Sequence, residues 1–281
     1  MTDQSVIPLW ETRHMQLITT RHGPVAVHEQ GAGDPVLLLH ANPGESRDFD
    51  AVTPTLSERY RTIAVDFPGY GQSPPPAEPR SASAMVFAEV AQDVVSELRL
   101  PPAMLIGNSV GGYAAARLAI DRPDAVKALV LVDTGGFTRK SLKTSIFCTI
   151  KGSEKITRLI AGRFARSYLR KRTPHVQAIL DRTDEGAKIP HRVAVDAAVW
   201  RSFTADEHDL RDRAAVIACP TLLAFGRYDP VLPAAADGET ARKSIPGSRL
   251  VVFETGHMPF AEDPQAFLAT VLPFLEEVRS R

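Results

Sequence analysis

The chain contains six short runs of residues that are apolar throughout, separated mostly by segments with helical patterning. A strand with one face in water would alternate apolar and polar residues, so these runs favour parallel strands that are covered on both faces. Strands that alternate with helices predict a doubly wound α/β sheet. The runs are VLLL at 36–39, IAV at 63–65, MLI at 104–106, ALVLV at 128–132, LLAF at 222–225 and LVVF at 250–253.

Local patterns predict the remaining elements. Residues 15–20 and 25–29 form a predicted β-hairpin with a turn at His22-Gly23. In the last predicted helix, Asp263 is placed to cap the N-terminus and Pro264 suits the first turn. The predicted helices cover residues 49–56, 82–98, 112–120, 234–243 and 264–278.

One long segment interrupts the alternation of strands and helices. Residues 136–213 show helical patterning and no convincing strand, yet they lie between two predicted sheet strands. This segment is therefore predicted to be a helical cap, inserted into a core domain built from residues 1–135 and 214–281.

Composition excludes several classes of protein. The 281 residues carry a formal net charge of +0, so no overall charge attracts nucleic acid or an anionic membrane. Two cysteines are too few for a disulfide framework and fit a reducing compartment. The N-terminus lacks the pattern of a signal peptide, and no apolar run approaches the ~20 residues of a membrane helix. We expect a cytoplasmic protein with a small-molecule substrate and with no nucleic-acid or membrane partner.

Polar residues follow the predicted strands at the sheet edge where α/β proteins bind their ligands. After the third run, Gly107-Asn108-Ser109-Val110-Gly111 fits the G-x-S-x-G pattern, in which a sharp turn between strand and helix exposes a serine. Asp229 and His257 follow the last two runs, so the chain order is Ser, Asp, His. This order differs from those of the chymotrypsin and subtilisin triads.

Five separated motifs make the chain similar to the α/β-hydrolase superfamily over nearly its whole length: LLLHANPG, VDFPGYGQS, LIGNSVGG, AFGRYDPVLP and TGHMPFAEDP. The resemblance implies an α/β-hydrolase fold with Ser109 as nucleophile, His257 as general base and acid, and Asp229 as the residue that orients His257. It also implies an oxyanion hole formed by the backbone N–H groups of Asn42 and Val110. The family often has His-Gly where this chain has His40-Ala41.

Other residues at the strand ends have alternative interpretations. Asp133 also follows a strand, and some family members place the triad acid there. Asp66 is interpreted as holding its own Pro-Gly turn, and His40 as shaping the oxyanion loop. No His, Cys and Asp cluster has the spacing of metal ligands, so neither a metal nor a cofactor is expected.

The elbow serine favours hydrolysis through an acyl-enzyme, and cleavage of a carboxylic ester is the first expectation. The GNSVGG stretch is also similar to the GNSMGG elbow of meta-cleavage-product hydrolases, which cut C–C bonds. That alternative ranks second, because these enzymes usually have Gly-Pro-Gly in the oxyanion loop and an aromatic residue where this chain has Met258. A ligand-binding member of the fold without enzymatic activity is the third alternative.

The predicted cap contains a strongly basic segment. Between Arg139 and Arg172 there are eleven basic residues and one acid, Glu154. Part of this segment has helical periodicity that places Ile156, Leu159, Ile160, Phe164 and Tyr168 on one apolar face, with Ser153 as a plausible N-cap. Three interpretations stay open: charges that only face water, a helix that lies on a membrane surface, and a field that attracts substrates with a carboxylate.

Overall fold

An eight-stranded, mostly parallel sheet forms the centre of the computed structural model, which describes residues 13–280. The strand order is β1-β2-β4-β3-β5-β6-β7-β8. Strand β2 pairs antiparallel with β1 and β4, and all other neighbours are parallel. The strands are β1 (His14–Thr20), β2 (Gly23–Gln30), β3 (Pro35–Leu39), β4 (Arg61–Val65), β5 (Ala103–Asn108), β6 (Val126–Val132), β7 (Thr221–Gly226) and β8 (Arg249–Phe253).

Ten α-helices accompany the sheet in the described part of the chain. They are α1 (Thr53–Ser57), α2 (Ala84–Glu97), α3 (Val110–Asp121), α4 (Leu142–Lys151), α5 (Glu154–Tyr168), α6 (Pro174–Gly186), α7 (Pro190–Ser202), α8 (Glu239–Ser244), α9 (Pro259–Glu262) and α10 (Pro264–Arg279). Asp263 accepts a hydrogen bond from the Ala266 N–H, as expected of an N-cap.

Two apolar cores lie on opposite faces of the sheet. In β3, Leu37 and Leu39 join the core formed with α2 and α3, whereas Val36 and Leu38 join the core formed with α1 and α10. Because successive side chains of a strand point to opposite faces, a strand covered on both sides needs apolar residues at every position. The uninterrupted apolar runs therefore correspond to β3–β7 in the way that the sequence predicts, whereas β8 is an edge strand in which Arg249 and Val252 are exposed, so it is not covered on both faces.

Helices α4–α7 form the whole regular structure between β6 and β7, apart from short 3-10 turns. They contact one another, with α5 packed on α6 and α7, and α4 packed on α7. No strand lies between Val132 and Thr221, all of which the structure describes. The chain thus leaves the sheet after β6 and returns to it at β7.

The buried face of α5 differs from the predicted one. Helix α5 packs through Thr157, Ala161, Ala165 and Tyr168, whereas the side chain of Leu159 is 84% exposed. Of the predicted apolar face only Tyr168 is buried, because the helix is rotated so that Thr157, Ala161 and Ala165 face its neighbours. Ser153 is the N-cap residue, although its side chain makes no capping hydrogen bond.

In the part of the chain that the structure describes, no helix combines the length and the apolar character needed to cross a membrane.

Candidate active site

Ser109 lies on the sharp turn between β5 and α3. Its backbone has φ +56° and ψ −115°, a left-handed conformation that is uncommon for a residue with a side chain. The turn requires small neighbours: a Cβ on Gly107 would lie 2.3 Å from the Gly111 carbonyl oxygen, and one on Gly111 would lie 2.1 Å from that of Leu39. Glycine is therefore needed on both sides of Ser109, because a side chain at either position would collide with the backbone of a neighbouring segment.

His257 and Asp229 form a buried pair. Nδ1 of His257 lies 2.6 Å from Oδ2 of Asp229, and both side chains are almost fully buried. Burial alone raises the pKa of Asp229, but the charge and hydrogen bond of His257, together with the backbone N–H of Val231, hold that pKa below its ordinary value. An ionised Asp229 accepts a hydrogen bond from Nδ1–H of His257, and this arrangement leaves Nε2 available as the nitrogen that can take a proton.

The backbone of His257 is held from two sides. Its N–H donates to the carbonyl of Tyr168 at the end of α5, at 2.9 Å. Its carbonyl accepts from the side chain of Asn108, next to the elbow serine, at 3.1 Å. The cap therefore takes part in positioning His257 through the backbone carbonyl of Tyr168. No local sequence pattern could reveal this role of Tyr168.

Asn42 follows β3 and lies beside the elbow, where it lines the same cavity as Ser109 and Val110. Its side chain is fixed by two partners: Nδ2 donates to Oδ1 of Asp196 at 2.9 Å, and Oδ1 accepts from the hydroxyl of Tyr70 at 2.8 Å. The N–H of Val110 is the first of α3 and has no acceptor within the helix. Both residues therefore line the cavity at the elbow, and their role as oxyanion donors stays a prediction.

His40 and Asp66 lie beneath these loops. Nδ1 of His40 contacts the Ala41 carbonyl at 2.6 Å, and Nε2 accepts from the Phe67 N–H at 2.9 Å. Burial lowers the pKa of His40, so it is a neutral group that shapes the loop. Asp66 accepts from the N–H groups of Ser46 and Gln72 and from His28. Both arrangements fit the structural interpretation of these residues.

Asp133 lies behind the His257–Asp229 pair. It is fully buried, has φ +38°, and accepts from the Gly226 N–H at 2.9 Å. Burial first, and the negative charge of Asp229 second, hold the pKa of Asp133 well above its ordinary value. Since Nδ1 of His257 is hydrogen-bonded to Asp229, the geometry favours Asp229 over Asp133 as the acid of the site.

Asp133, Asp229 and His257 are also the group of described residues whose ligand atoms come close enough to hold a metal, within 4.8 Å of one another. Two ligands at tetrahedral angles on one zinc ion would lie about 3.3 Å apart. The 2.6 Å separation of His257 and Asp229 is shorter than that and matches a charge-assisted hydrogen bond.

A mainly apolar cavity of about 130 Å³ lies above Ser109 and opens to solvent. The cap supplies much of its wall, including Cys148, whose thiol pKa burial raises to about 11. Further apolar side chains that line the cavity come from α4, from α7 and the segment after it, and from the loop after β7. They are Phe147, Val199, Trp200, Phe203, Val231 and Leu232. No local sequence pattern identifies these lining residues, because they meet only through packing of the cap.

Comparison with known proteins agrees with this architecture. Residues 36–270 match the model of a protein family that is described as "Alpha/beta hydrolase family". The chain is 31% identical over 252 residues to the pimeloyl-[acyl-carrier protein] methyl ester esterase of Neisseria meningitidis, covering 86% of this chain and 94% of that protein. An esterase structure from Exiguobacterium antarcticum superposes with a TM-score of 0.80 at 26% identity, covering 94% of this chain and 100% of that one. An esterase from Thermogutta terrifontis gives a TM-score of 0.80 at 24% identity, with coverages of 94% and 99%.

Proposed function

Because the chain belongs to the alpha/beta hydrolase family, we propose that it is a serine hydrolase that cleaves a carboxylic ester of a small molecule through an acyl-enzyme. The observation that carries the proposal is the buried His257–Asp229 hydrogen bond at the sheet edge where the strained elbow presents Ser109. The esterases among the chain's relatives support the same reaction type.

In the proposed reaction, Oγ of Ser109 attacks the ester carbonyl carbon while Nε2 of His257 takes the hydroxyl proton. The N–H groups of Asn42 and Val110 donate to the oxyanion that forms. The tetrahedral intermediate collapses, the C–O bond to the alcohol breaks, and His257 returns the proton to the leaving alkoxide. Water then repeats these steps on the acyl-enzyme, releasing the carboxylic acid and restoring Ser109.

The cavity indicates the kind of substrate. Its aromatic and aliphatic lining contains few polar groups beyond Ser109, Thr144 and Ser145, with Lys140 and Asp209 as its charged members. Apolar surface binds apolar surface, so we infer that the group of the ester lying under the cap is an alkyl or aryl chain.

A fluorophosphonate probe tests the proposal, because it labels only a serine that a functioning site activates. The intact protein should be labelled, and it should hydrolyse 4-nitrophenyl esters with a preference for acyl chains longer than acetate. Ser109→Ala should abolish labelling and lower kcat by at least about 10⁴-fold.

Ser145 provides a matched control, since it is a second serine that lines the same cavity. Ser145→Ala should keep both labelling and turnover. Labelling that survives Ser109→Ala would place the nucleophile elsewhere, and an intact protein that reacts with neither probe nor ester would favour a ligand-binding role.

A further inference from the structure

Exposed aliphatic side chains are concentrated on the first two helices of the cap. Ten large hydrophobic residues of the described chain are exposed, and five of them lie within the eighteen residues from Leu142 to Leu159. Leu142 is 78% exposed and Leu159 is 84% exposed, so these side chains project from the protein surface. The other three are Ile146, Phe147 and Ile150.

On α4 these residues form a stripe. Leu142, Ile146 and Ile150 are spaced four residues apart, so each is rotated by only about 40° from the previous one. The opposite side of the helix faces inward, where Thr144 and Cys148 line the cavity. Helix α4 therefore separates the cavity from an outer aliphatic surface, and the outer surface takes no part in lining the candidate active site.

Basic side chains lie beside these aliphatic residues along the chain: Lys143 follows Leu142, and Lys155 and Arg163 are each one helical turn from Leu159. Arg139, Lys143, Lys155, Arg158 and Arg163 are exposed, and none forms an ion pair within residues 13–280. The one acid of the segment, Glu154, pairs with Arg80 of the core. The uncompensated positive charge favours a negatively charged partner over a neutral one.

We propose that this surface, which we call the α4–α5 face (Leu142, Ile146, Ile150 and Leu159 with Lys143, Lys155, Arg158 and Arg163), docks on an anionic lipid bilayer. Aliphatic side chains that project singly from a convex helix can enter a bilayer without a complementary groove, while the basic groups contact lipid phosphates. A protein partner would instead require pockets that match each projecting side chain. The proposal replaces the expectation, drawn from the overall charge balance, that the chain has no membrane partner.

Co-sedimentation of the full chain with phospholipid vesicles tests the proposal. With vesicles containing about 30% phosphatidylglycerol in phosphatidylcholine, at about 0.1 M salt, the bound fraction should far exceed that with pure phosphatidylcholine. Raising the salt to about 0.5 M should release most of the protein, because it screens the basic groups.

Two variants separate the two contributions. Leu142→Gln/Ile146→Gln/Ile150→Gln and Lys143→Gln/Lys155→Gln/Arg158→Gln/Arg163→Gln should each weaken binding to the anionic vesicles by about tenfold or more. A control variant, Val216→Gln/Val252→Gln, changes exposed aliphatic residues outside the cap and should bind like the unmodified protein. Circular dichroism checks that each variant is folded.

Three results would overturn the proposal. The first is equal binding, or none, to the two kinds of vesicle. The second is undiminished binding of the variant that lacks the aliphatic stripe, because charge alone would then explain the association. The third is a dimer in sedimentation velocity that this same variant abolishes, which would assign the face to a second copy of the chain. Vesicle binding is measured without substrate, so its failure leaves the proposed esterase activity unaffected.

Discussion

At the scale of single residues, the site contains two buried carboxyl groups and one imidazole. Asp229 is hydrogen-bonded to His257, whereas burial and the negative charge of Asp229 raise the pKa of Asp133 well above its ordinary value and favour its protonated form. Two close carboxyl groups in a buried site do not both ionise. Ionising the second group would cost desolvation energy and would also be opposed by repulsion from the charge on the first group. The two acids therefore have different chemical states despite similar positions at adjacent strand ends.

Exchanging each acid for its amide distinguishes their roles. Asp229→Asn should lower kcat for a 4-nitrophenyl ester by about 10⁴-fold, because the amide favours the wrong tautomer of His257. Asp133→Asn should change kcat by less than about threefold, since an amide resembles a neutral carboxyl group in size and polarity. A nearly silent Asp229→Asn together with a crippling Asp133→Asn would make Asp133 the triad acid.

The raised pKa of Asp133 also predicts how stability depends on pH. A group whose pKa is higher in the folded state contributes stability that is fully present below its unfolded pKa and is lost as the pH rises through its folded pKa. Asp133→Asn removes this loss, so the variant should gain stability relative to the unmodified protein as the pH rises from about 4 to about 8. Urea unfolding at several pH values measures the difference, and a constant difference would contradict the assignment of a protonated Asp133.

Asp66 provides the opposite case. Despite the opposing effect of burial, its hydrogen bonds from His28 and two backbone N–H groups lower its pKa to about 2. Its contribution to stability is present above the unfolded pKa and is lost as the pH falls toward 2, by about 2 kcal/mol. Asp66→Asn should flatten this acid limb in urea unfolding between about pH 5 and pH 2, and an unchanged limb would show that other carboxyl groups cause it.

At the scale of elements, one buried ionic contact joins the oxyanion loop to the cap. Asp196 on α7 accepts from the side chain of Asn42, and its other oxygen lies 3.9 Å from Nζ of Lys151 at the end of α4. Lys151 is only 1% exposed and lies over the rings of Phe164 and Trp200. The contact thus connects the loop after β3 to two cap helices, and the cap's position is coupled to that of Asn42.

Breaking this contact should lower the stability of the folded protein. Asp196→Ala leaves Lys151 as an unpaired buried charge and removes the carboxylate acceptor of Asn42, whose Nδ2 keeps only its 3.2 Å hydrogen bond to the Asp196 backbone carbonyl, so the free energy of unfolding should fall by about 3–5 kcal/mol. Replacing both charges, in Lys151→Met/Asp196→Leu, should cost clearly less, because no charge is then buried alone. Urea unfolding of Asp196→Leu, Lys151→Met and the double variant measures the coupling, and a double-variant loss equal to the sum of the two single losses would show that the two groups act independently.

At the scale of the whole molecule, a formal net charge of +0 conceals an uneven distribution. Four of the eleven basic residues between Arg139 and Arg172 pair with carboxylates; these are Lys140, Lys151, Arg166 and Lys171. The remaining seven form no ion pair within the described residues. The cap therefore carries a net positive field next to the cavity that it covers.

This field should act on charged substrates. For a 4-nitrophenyl ester that carries a free carboxylate, kcat/KM should fall by about threefold or more as the salt concentration rises from about 0.05 M to 0.5 M. A neutral ester of similar length should show little change, because the field does not attract it. Equal salt dependence for the two esters would exclude a role of the cap charges in attracting substrate.

Local patterns in the sequence determined the strands, the elbow and the order of the three polar residues. Uninterrupted apolar runs favour strands of a parallel sheet, and a serine between glycines favours a sharp turn, so each conclusion depends on neighbouring residues alone. The same reasoning placed Ser109 at the end of β5 and His257 after β8, as the structure does.

Only the tertiary structure decided which acid contacts His257 and how the cap is oriented. Asp133 and Asp229 both follow strands, and the choice depends on the path of the loops after β6 and β7. Leu159 was predicted to be on the buried face of its helix and is exposed, whereas Lys151 is buried among aromatic rings. Helical periodicity shows that a helix has distinct faces, but the side that becomes buried depends on partners that are distant in sequence and meet only in the folded chain.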